Sequence, residues 1–145
     1  MPLEFKETGR MKRLVFIMVM LLGIGYVQAQ TVRNSNNSTL ATISSDGDVR
    51  NSNNSLIARI NSNGDIRDSN NRLLGRLDGN TVRNSNNSTL GYVSDDGTVR
   101  NSNNSVLGRV NSDGTVRNAN NSVIGYAKGV PMKYAAVFFF FNLLQ

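Results

Sequence analysis

The sequence predicts an all-β fold in which short antiparallel hairpins form a closed ring, a propeller-like array with a period of about 17 residues. The first observation behind this prediction is an internal repeat. Repeats of this length are small units that pack side by side, so that neighbouring units bury apolar surface that a single unit would leave exposed. The second is a glycine turn signal between short β-rich stretches, a pattern typical of hairpins. Near-copies of the hexapeptide VRNSNN begin at Val32, Val49, Ile66, Val82, Val99 and Val116, which are 17, 17, 16, 17 and 17 residues apart.

The N-terminal part of the chain has the layout of a bacterial export signal. Basic residues at 11–13 precede an apolar run over residues 14–27 and a small-residue cleavage site after Ala29. The apolar run is shorter than the roughly 20 residues that a membrane-spanning helix needs. We therefore expect a signal peptide over residues 1–29, for which Met11 would be a more ordinary start. The mature protein would be secreted, periplasmic or at the cell surface, with no transmembrane anchor after cleavage.

The composition after residue 29 limits the possible functions. This part contains 12 basic and eight acidic residues, which give an evenly spread net charge of +4. Such a charge forms no dense basic patch, and with export it argues against nucleic-acid binding. Without cysteine there is no disulfide framework, so stability has to come from packing and hydrogen bonds. The absence of histidine and glutamate after residue 29 argues against an enzyme.

The turns are predicted from the apolar residues that they place opposite each other. A three-residue loop with glycine in the left-handed conformation brings the apolar residues on its two sides into register. In the repeat that is one residue shorter, a two-residue Gly79-Asn80 loop pairs Leu77 with Val82 instead. The other predicted pairs are Ile43 with Val49, Ile60 with Ile66, Val93 with Val99, and Val110 with Val116. The glycines assigned to these turns are Gly47, Gly64, Gly79, Gly97 and Gly114.

Alternation along each strand places the second and third residues of a hexapeptide on opposite faces. The first Asn, which is Asp68 in the third copy, falls on the core side opposite an Ala or Gly. There a buried polar group would hydrogen-bond to the backbone. The Ser-Asn-Asn residues that follow are expected to form a second, ordered turn. The Arg points outward, and it is the hexapeptide residue to which the sequence assigns no structural role.

A second apolar residue of each repeat lies three positions before the paired one, where alternation turns it toward the Arg face. Two explanations stay open. A β-bulge at the intervening Ala or Gly returns it to the core, or neighbouring units partly cover both faces. These residues are Leu40, Ile57, Leu74, Leu90, Leu107 and Ile124.

Short strands in series need protected edges, and closure into a ring protects them. The alternative architecture is a β-solenoid with one coil per repeat and ladders of stacked Asn side chains. The hairpin turn signals favour the ring. Five glycine turns accompany six hexapeptides, so closure with five or with six units stays open. Pairing of residues 32–37 with residues 122–127 would close the ring and add a sixth element.

Several motifs together resemble a known family. The pattern VRNSNN, GY or GR, then DG fills the repeats, and the export signal ends in Gln-Ala-Gln. Residues 125–129 read GYAKG and residues 135–141 read AAVFFFF. In these features essentially the whole mature chain resembles the five-fold β-flower proteins, which are small secreted bacterial proteins. The resemblance implies a compact ring-like β architecture with five-fold character and brings no established activity.

The residues after the repeats are expected to form an apolar C-terminal strand that plugs or caps the ring. The run over residues 137–141 is too short to span a bilayer, and if exposed it would favour aggregation. The alternative is an exposed docking segment for a partner. The predicted organisation is a signal peptide at 1–29, six hairpin repeats at 30–129 and the plug at 130–145.

The predicted register sets arginines directly opposite each other in three pairs, which are Arg59 with Arg67, Arg76 with Arg83, and Arg109 with Arg117. Such a pair is destabilising by about 0.2–1 kcal/mol unless something compensates the charge. A turn carboxylate such as Asp46, Asp65 or Asp113, or solvent, would compensate it. So would a sulfate, phosphate or acidic sugar held by guanidinium groups. Tyr92, predicted opposite an arginine, would stack on it or on a sugar. The candidate ligand-binding residues are Arg59, Arg67, Arg76, Arg83, Arg100, Arg109, Arg117 and Tyr92.

No residue is assigned to catalysis, to a cofactor or to a metal. The acids after residue 29 are all Asp, no pair of them stands out as a glycosidase pair, and the turns lack the terminal Glu of an EF-hand. The sequence therefore predicts a secreted, non-enzymatic β-repeat protein, a structural or interaction module of the cell envelope or extracellular space. The alternative is a lectin-like module that binds anionic glycans through its outward arginines. The expected partners are accordingly an anionic glycan or another envelope protein.

Overall fold

The structure, a computed structural model, describes residues 30–145, so the predicted signal peptide lies outside the described residues. This part of the chain forms twelve strands followed by one helix. The strands are β1 (Gln30–Asn34), β2 (Thr39–Ile43), β3 (Asp48–Asn51), β4 (Leu56–Ile60), β5 (Asp65–Asp68), β6 (Leu73–Asp78), β7 (Thr81–Asn84), β8 (Thr89–Val93), β9 (Thr98–Asn101), β10 (Val106–Val110), β11 (Thr115–Asn118) and β12 (Val123–Tyr126). The helix is α1 (Met132–Phe140).

The sheet closes on itself. Each strand pairs antiparallel with its neighbours along the chain, and β1 pairs with β12. The closing contact sets Arg33 opposite Tyr126 and Asn34 opposite Gly125, so the first half-unit joins the last. This closed ring confirms the predicted all-β architecture and makes the solenoid alternative unnecessary. Residues 30–126 supply six units to the ring, and closure leaves neither terminal strand with a free edge.

The turns set the register as predicted. In the first repeat Ile43 lies opposite Val49, and in the short repeat the two-residue loop places Leu77 opposite Val82. The missing residue is therefore absorbed in the turn while the apolar pair is kept. The same pairing joins Ile60 with Ile66, Val93 with Val99, and Val110 with Val116.

Each hairpin with an Asn-rich turn carries a β-bulge. Where β3 pairs with β4, Val49 faces Ala58 and Arg50 faces Leu56, so Ile57 is the extra residue. The bulge explanation is therefore right, but the extra residue is the second apolar residue and not the adjacent Ala. The bulge allows the extra residue to pack against the core in five repeats, as Ile57 does, whereas Leu40 in the first repeat is 38% exposed. Among residues 30–126 the extra residues are Leu40, Ile57, Leu74, Leu90, Leu107 and Ile124.

The C-terminal segment is a helix, and the expected strand was wrong. The helix α1 begins after Pro131, and Ala135, Ala136 and Val137 within it have no solvent exposure. All strands of the ring are paired with each other, so a segment inside the ring finds no free strand edge. Its backbone groups must then bond to one another, as they do in a helix. No helix within residues 30–145 is long and apolar enough to cross a membrane.

The C-terminal tail, residues 130–145, runs through the ring and contacts the repeats one after another. At its beginning, Lys133 Nζ donates a hydrogen bond to the Gly79 carbonyl oxygen at 3.1 Å, on the side of the glycine turns. Further along, its side chains lie against glycines of the even-numbered strands, where an added Cβ would come within 2.9 Å of them. In these four units the glycine opposite the Asn therefore also makes room for the tail. The contacting pairs are Phe139 with Gly125, Phe140 with Gly108, Phe141 with Gly91, and Leu143 with Gly75.

Candidate functional site

The outward arginines of the hexapeptides each close an Asn-rich turn. In every repeat Arg Nη1 donates a hydrogen bond to the carbonyl oxygen of the Asn four residues later, at 2.9–3.2 Å. That Asn has a left-handed φ of 66–68°. The expectation that these arginines lack a structural role was therefore wrong. The pairs are Arg33 with Asn37, Arg50 with Asn54, Arg67 with Asn71, Arg83 with Asn87, Arg100 with Asn104, and Arg117 with Asn121.

The first Asn of each hexapeptide belongs to the same turn. Asn101 Oδ1 accepts hydrogen bonds from the backbone N–H of Asn103 at 3.0 Å and of Ser105 at 2.9 Å. Asp68 accepts the two equivalent hydrogen bonds, each at 2.9 Å. The predicted bond to the backbone is present, whereas the predicted full burial is not, because these side chains are only half-buried. The side chain shapes its own turn and leaves the inner space to the C-terminal tail.

A second row of outward residues pairs across the strands with the residue before each hexapeptide. Arg59 Nε donates a hydrogen bond to Asp48 Oδ1 at 2.6 Å, and Arg76 Nε donates one to Asp65 Oδ1 at 2.8 Å. Asp65 Oδ2 also accepts a hydrogen bond from Arg67 Nη2 at 3.1 Å. The hydrogen bonds from Arg59 and Arg76 hold the pKa of these carboxyls below the ordinary value of Asp. Both carboxylates are therefore ionised at neutral pH.

These carboxylates compensate two of the three predicted pairs of opposed arginines. Arg59 lies directly opposite Arg67, and Arg76 lies directly opposite Arg83. Asp65 forms ion pairs with Arg67 of the first pair and with Arg76 of the second. Its carboxylate therefore compensates one arginine in each of the two pairs. Among the carboxylates proposed for this compensation, Asp65 is the one that forms an ion pair in the described residues.

The third pair, Arg109 opposite Arg117, has a different neighbour. The residue opposite Arg109 on β9 is Thr98, whose Oγ1 accepts a hydrogen bond from Arg109 Nη2 at 3.2 Å. Arg109, Arg117 and Arg100 line an open cleft of about 360 Å³. Asp96 is the acidic residue among those that line it, and its side chain belongs to the neighbouring glycine turn.

The structure thus divides the candidate ligand-binding residues. Tyr92 lies opposite Arg100 on β9 as predicted, but its other strand neighbour is Thr81 and the lining of the cleft does not include it. Four candidates take part in ion pairs with Asp, and three come together in the cleft. The first group is Arg59, Arg67, Arg76 and Arg83. The second group is Arg100, Arg109 and Arg117.

The glycine turns also connect each repeat to the next. All five predicted turn glycines have a positive φ, between 57° and 91°. In addition, the Gly47 carbonyl accepts the Ile60 N–H of the following repeat at 2.8 Å. A Cβ on Gly47 would lie only 2.0 Å from the Ile60 carbonyl oxygen. Gly129, with a φ of 78°, is a further left-handed glycine after β12, which the turn pattern of the sequence did not predict.

The aspartates of the described chain lie in turns or form ion pairs with arginines. Asp113 Oδ1 accepts the Thr115 N–H at 2.9 Å within its own turn, and Asp46 is an exposed turn residue. Asp65 is buried, but its partners are arginines, so it is ionised. Within residues 30–145, no group of three or more His, Cys, Asp and Glu residues could hold a metal ion.

The fold and these contacts define a class of protein: a closed β-repeat ring whose C-terminal helix fills the centre and whose turns join each unit to the next. A family model described as 5-fold beta-flower protein matches residues 29–143. The chain belongs to this family, as its motifs indicated. The five-fold character that the resemblance implied does not correspond to the number of repeat units, because residues 30–126 form six units. Neither the comparison with curated proteins nor the comparison with solved structures gave a match.

Proposed function

We propose that this protein is a secreted, non-enzymatic module with a structural or interaction role in the cell envelope or outside the cell. One observation carries the proposal: the ring closes through β1 and β12 and encloses the apolar residues around Val137. Such a unit protects its strand edges and its aggregation-prone segment by itself. These properties suit a protein that has to persist outside the cell without disulfides.

The positions of the aspartates support the non-enzymatic part of the proposal. A general acid needs a carboxyl whose pKa is raised toward the working pH. The pKa values of Asp48 and Asp65 are instead lowered by hydrogen bonds from Arg59 and Arg76. For Asp96 and Asp113, hydrogen bonds from backbone N–H groups lower the pKa first of all. These four carboxylates are thus held in the ionised form by structural contacts.

Fractionation of bacteria that express the full chain tests export. We expect the protein in the periplasm or the medium, and mass spectrometry should find Gln30 as its first residue. A variant with charges in the apolar run, Leu21→Lys with Leu22→Lys, should stay uncleaved in the cytoplasm. An intact wild-type chain found only in the cytoplasm would contradict the proposal.

A second candidate function is the binding of anionic glycans, and the cleft at Arg109 and Arg117 favours it. Opposed arginines cost stability, and this pair lacks the strand carboxylate that the other two pairs have. A glycan array tests the idea directly. Binding should be restricted to sulfated, phosphorylated or carboxylated glycans and should weaken as salt rises. If no anionic glycan binds at low ionic strength, this function is ruled out.

A further inference from the structure

Three arginine triads on the outer face of the ring can be compared within one molecule. In each triad a central Arg on an even-numbered strand is flanked by the hexapeptide arginines of the two adjacent strands. The residue opposite the central Arg is Asp48 in the first triad and Asp65 in the second, but Thr98 in the third. The triads are Arg50, Arg59 and Arg67; Arg67, Arg76 and Arg83; and Arg100, Arg109 and Arg117.

The cleft at the third triad has a second departure from the repeat. Ala119 stands where the other five hexapeptide copies have Ser, and it lines the cleft. Val106, with 44% of its surface exposed, lines it as well. The amide residues Asn118 and Asn121 complete the lining beside them. Apolar contacts combined with a few convergent polar groups are typical of sites that bind small organic ligands.

The charge of the cleft is positive. Three guanidinium groups stand against the single carboxylate of Asp96 among the lining residues. Each guanidinium has five N–H donors. Arg100 and Arg117 each use one on a turn carbonyl, and Arg109 uses one on Thr98. The structural contacts of these arginines therefore leave most of their donors for an oxyanion.

We propose that the cleft formed by Arg100, Arg109 and Arg117 binds a saccharide that carries sulfate or phosphate esters. Guanidinium groups hold such oxyanions through paired hydrogen bonds. The three arginines lie on three adjacent strands, which spreads them over about 10 Å and suits a ligand with more than one anionic group. The inference rests on the second candidate function above and assigns it to one cleft of the ring.

Restoring the missing carboxylate tests the site. Thr98→Asp gives the third triad the aspartate that the first two triads have opposite their central arginine. An aspartate at this position is therefore compatible with the fold. Thr31→Asp is the matched control, because Thr31 precedes the first hexapeptide and lies opposite Thr42 instead of an arginine. Thr31 is on β1, four strands from Thr98 and two strands from Arg117, which is about 10 Å along the sheet. Thr31→Asp therefore adds the same charge to the protein without placing it among the cleft arginines.

The probes are dextran sulfate and phosphorylated dextran, with neutral dextran as the reference, titrated calorimetrically at low salt. We expect the wild-type protein to bind at least one charged polymer and not the neutral one. Thr98→Asp should weaken that binding about tenfold or more, and Thr31→Asp by less than about twofold. Arg109→Tyr, which introduces the residue that the ring has at Tyr92 and Tyr126, should weaken it as well and covers the case in which Thr98→Asp fails to fold.

The experiment distinguishes an error about anion binding from an error about where the anion binds. If neither charged polymer binds the wild-type protein, anion binding itself is wrong. If a charged polymer binds the wild-type protein, Thr98→Asp and Thr31→Asp equally well, anion binding stands but this cleft is not the site. A preference for the sulfated or for the phosphorylated polymer identifies the ester that the cleft recognises.

Discussion

At the scale of single residues, the same side chain has different roles because its neighbours differ. Arg117 and Arg33 each close an Asn-rich turn, while Arg59 forms an ion pair with Asp48 across two strands. Arg109 occupies the position equivalent to Arg59 but meets a threonine. The role of each arginine therefore depends on the group beside it, which is either a carbonyl of its own turn or the residue that the register sets opposite it on the next strand.

Acid should weaken the fold through Asp65. Its pKa is lowered in the folded chain, first by the hydrogen bond from Arg76 and also by that from Arg67, so the native state holds fewer protons than the unfolded state. The stabilisation is then present above the unfolded pKa of about 4 and is lost as the pH falls through the lower folded value. Urea melts between pH 7 and pH 2 should show a constant free energy of unfolding down to about pH 5 and a decrease below about pH 4.

Asp65→Asn should show where this decrease comes from. The difference in stability between the variant and the wild-type protein should narrow as the pH falls below about 4. Asn101→Ala is the control, because it also removes hydrogen bonds but no titrating group, and its difference should not narrow. A difference for Asp65→Asn that is the same at pH 7 and at pH 2.5 would show that the carboxylate contributes nothing through its charge.

Substitutions at two turn glycines distinguish the effect of backbone conformation on stability from the effect of packing. An added Cβ at Gly97 would lie 2.0 Å from the Val110 carbonyl oxygen, whereas at Gly79 it would meet nothing within 4 Å. Both glycines have a positive φ. We expect Gly79→Ala to lower the free energy of unfolding by about 1 kcal/mol and Gly97→Ala by about 3 kcal/mol or more. Equal losses in denaturant melts would mean that the contact with the next repeat is unimportant.

At the scale of elements, each repeat is a bulged hairpin with two different turns. The glycine turn fixes the apolar pair and reaches over to the next repeat, as Gly47 does with Ile60. The Asn turn is held by one side-chain carbonyl from inside and one guanidinium from outside, as with Asn101 and Arg100. The bulge beside it brings a second apolar residue such as Leu107 to the core. These local contacts explain why the hexapeptide recurs almost unchanged.

The Asn turn can be tested with a substitution that the chain itself contains. Asp68 accepts the same two backbone hydrogen bonds as Asn101, so Asn101→Asp should leave the free energy of unfolding nearly unchanged. Asn101→Ala removes both acceptors and should cost about 1 kcal/mol. Thermal and urea melts of the two variants give the comparison. If Asn101→Ala is as stable as Asn101→Asp, the side-chain acceptor does not hold the turn.

At the scale of the whole molecule, closure and the central helix depend on each other. The ring pairs all of its strand edges, and the tail then occupies the space that the ring surrounds. Glycines such as Gly91 and Gly108 lie against the rings of Phe141 and Phe140. Larger residues at these positions would push the tail out. The repeat and the tail are thus complementary parts of one core.

Removal of residues 132–145 should destroy this core. The truncated ring would expose the inner faces of apolar residues such as Val49 and Val99, which are fully buried in the complete chain. We expect loss of a cooperative melt, loss of near-UV circular dichroism and binding of a dye for exposed apolar surface. Val137→Ala should cost only about 2 kcal/mol and keep the cooperative transition. A truncated protein that melts as cooperatively as the full chain would show that the ring folds without its helix.

The sequence by itself determined the repeat, the turns and the register, because these depend on residues close together in the chain. Gly79 and Asn80 already showed how the short repeat keeps its apolar pair, and the opposed arginines followed from the alternation. The tertiary structure alone decided the number of units, the helical state of the tail and the difference between the arginine triads. Each of these depends on contacts between distant residues: Arg33 with Tyr126, Phe139 with Gly125, and Arg109 with Thr98. A strand cannot form where every edge is already paired, and an arginine has no free charge where the neighbouring strand supplies a carboxylate.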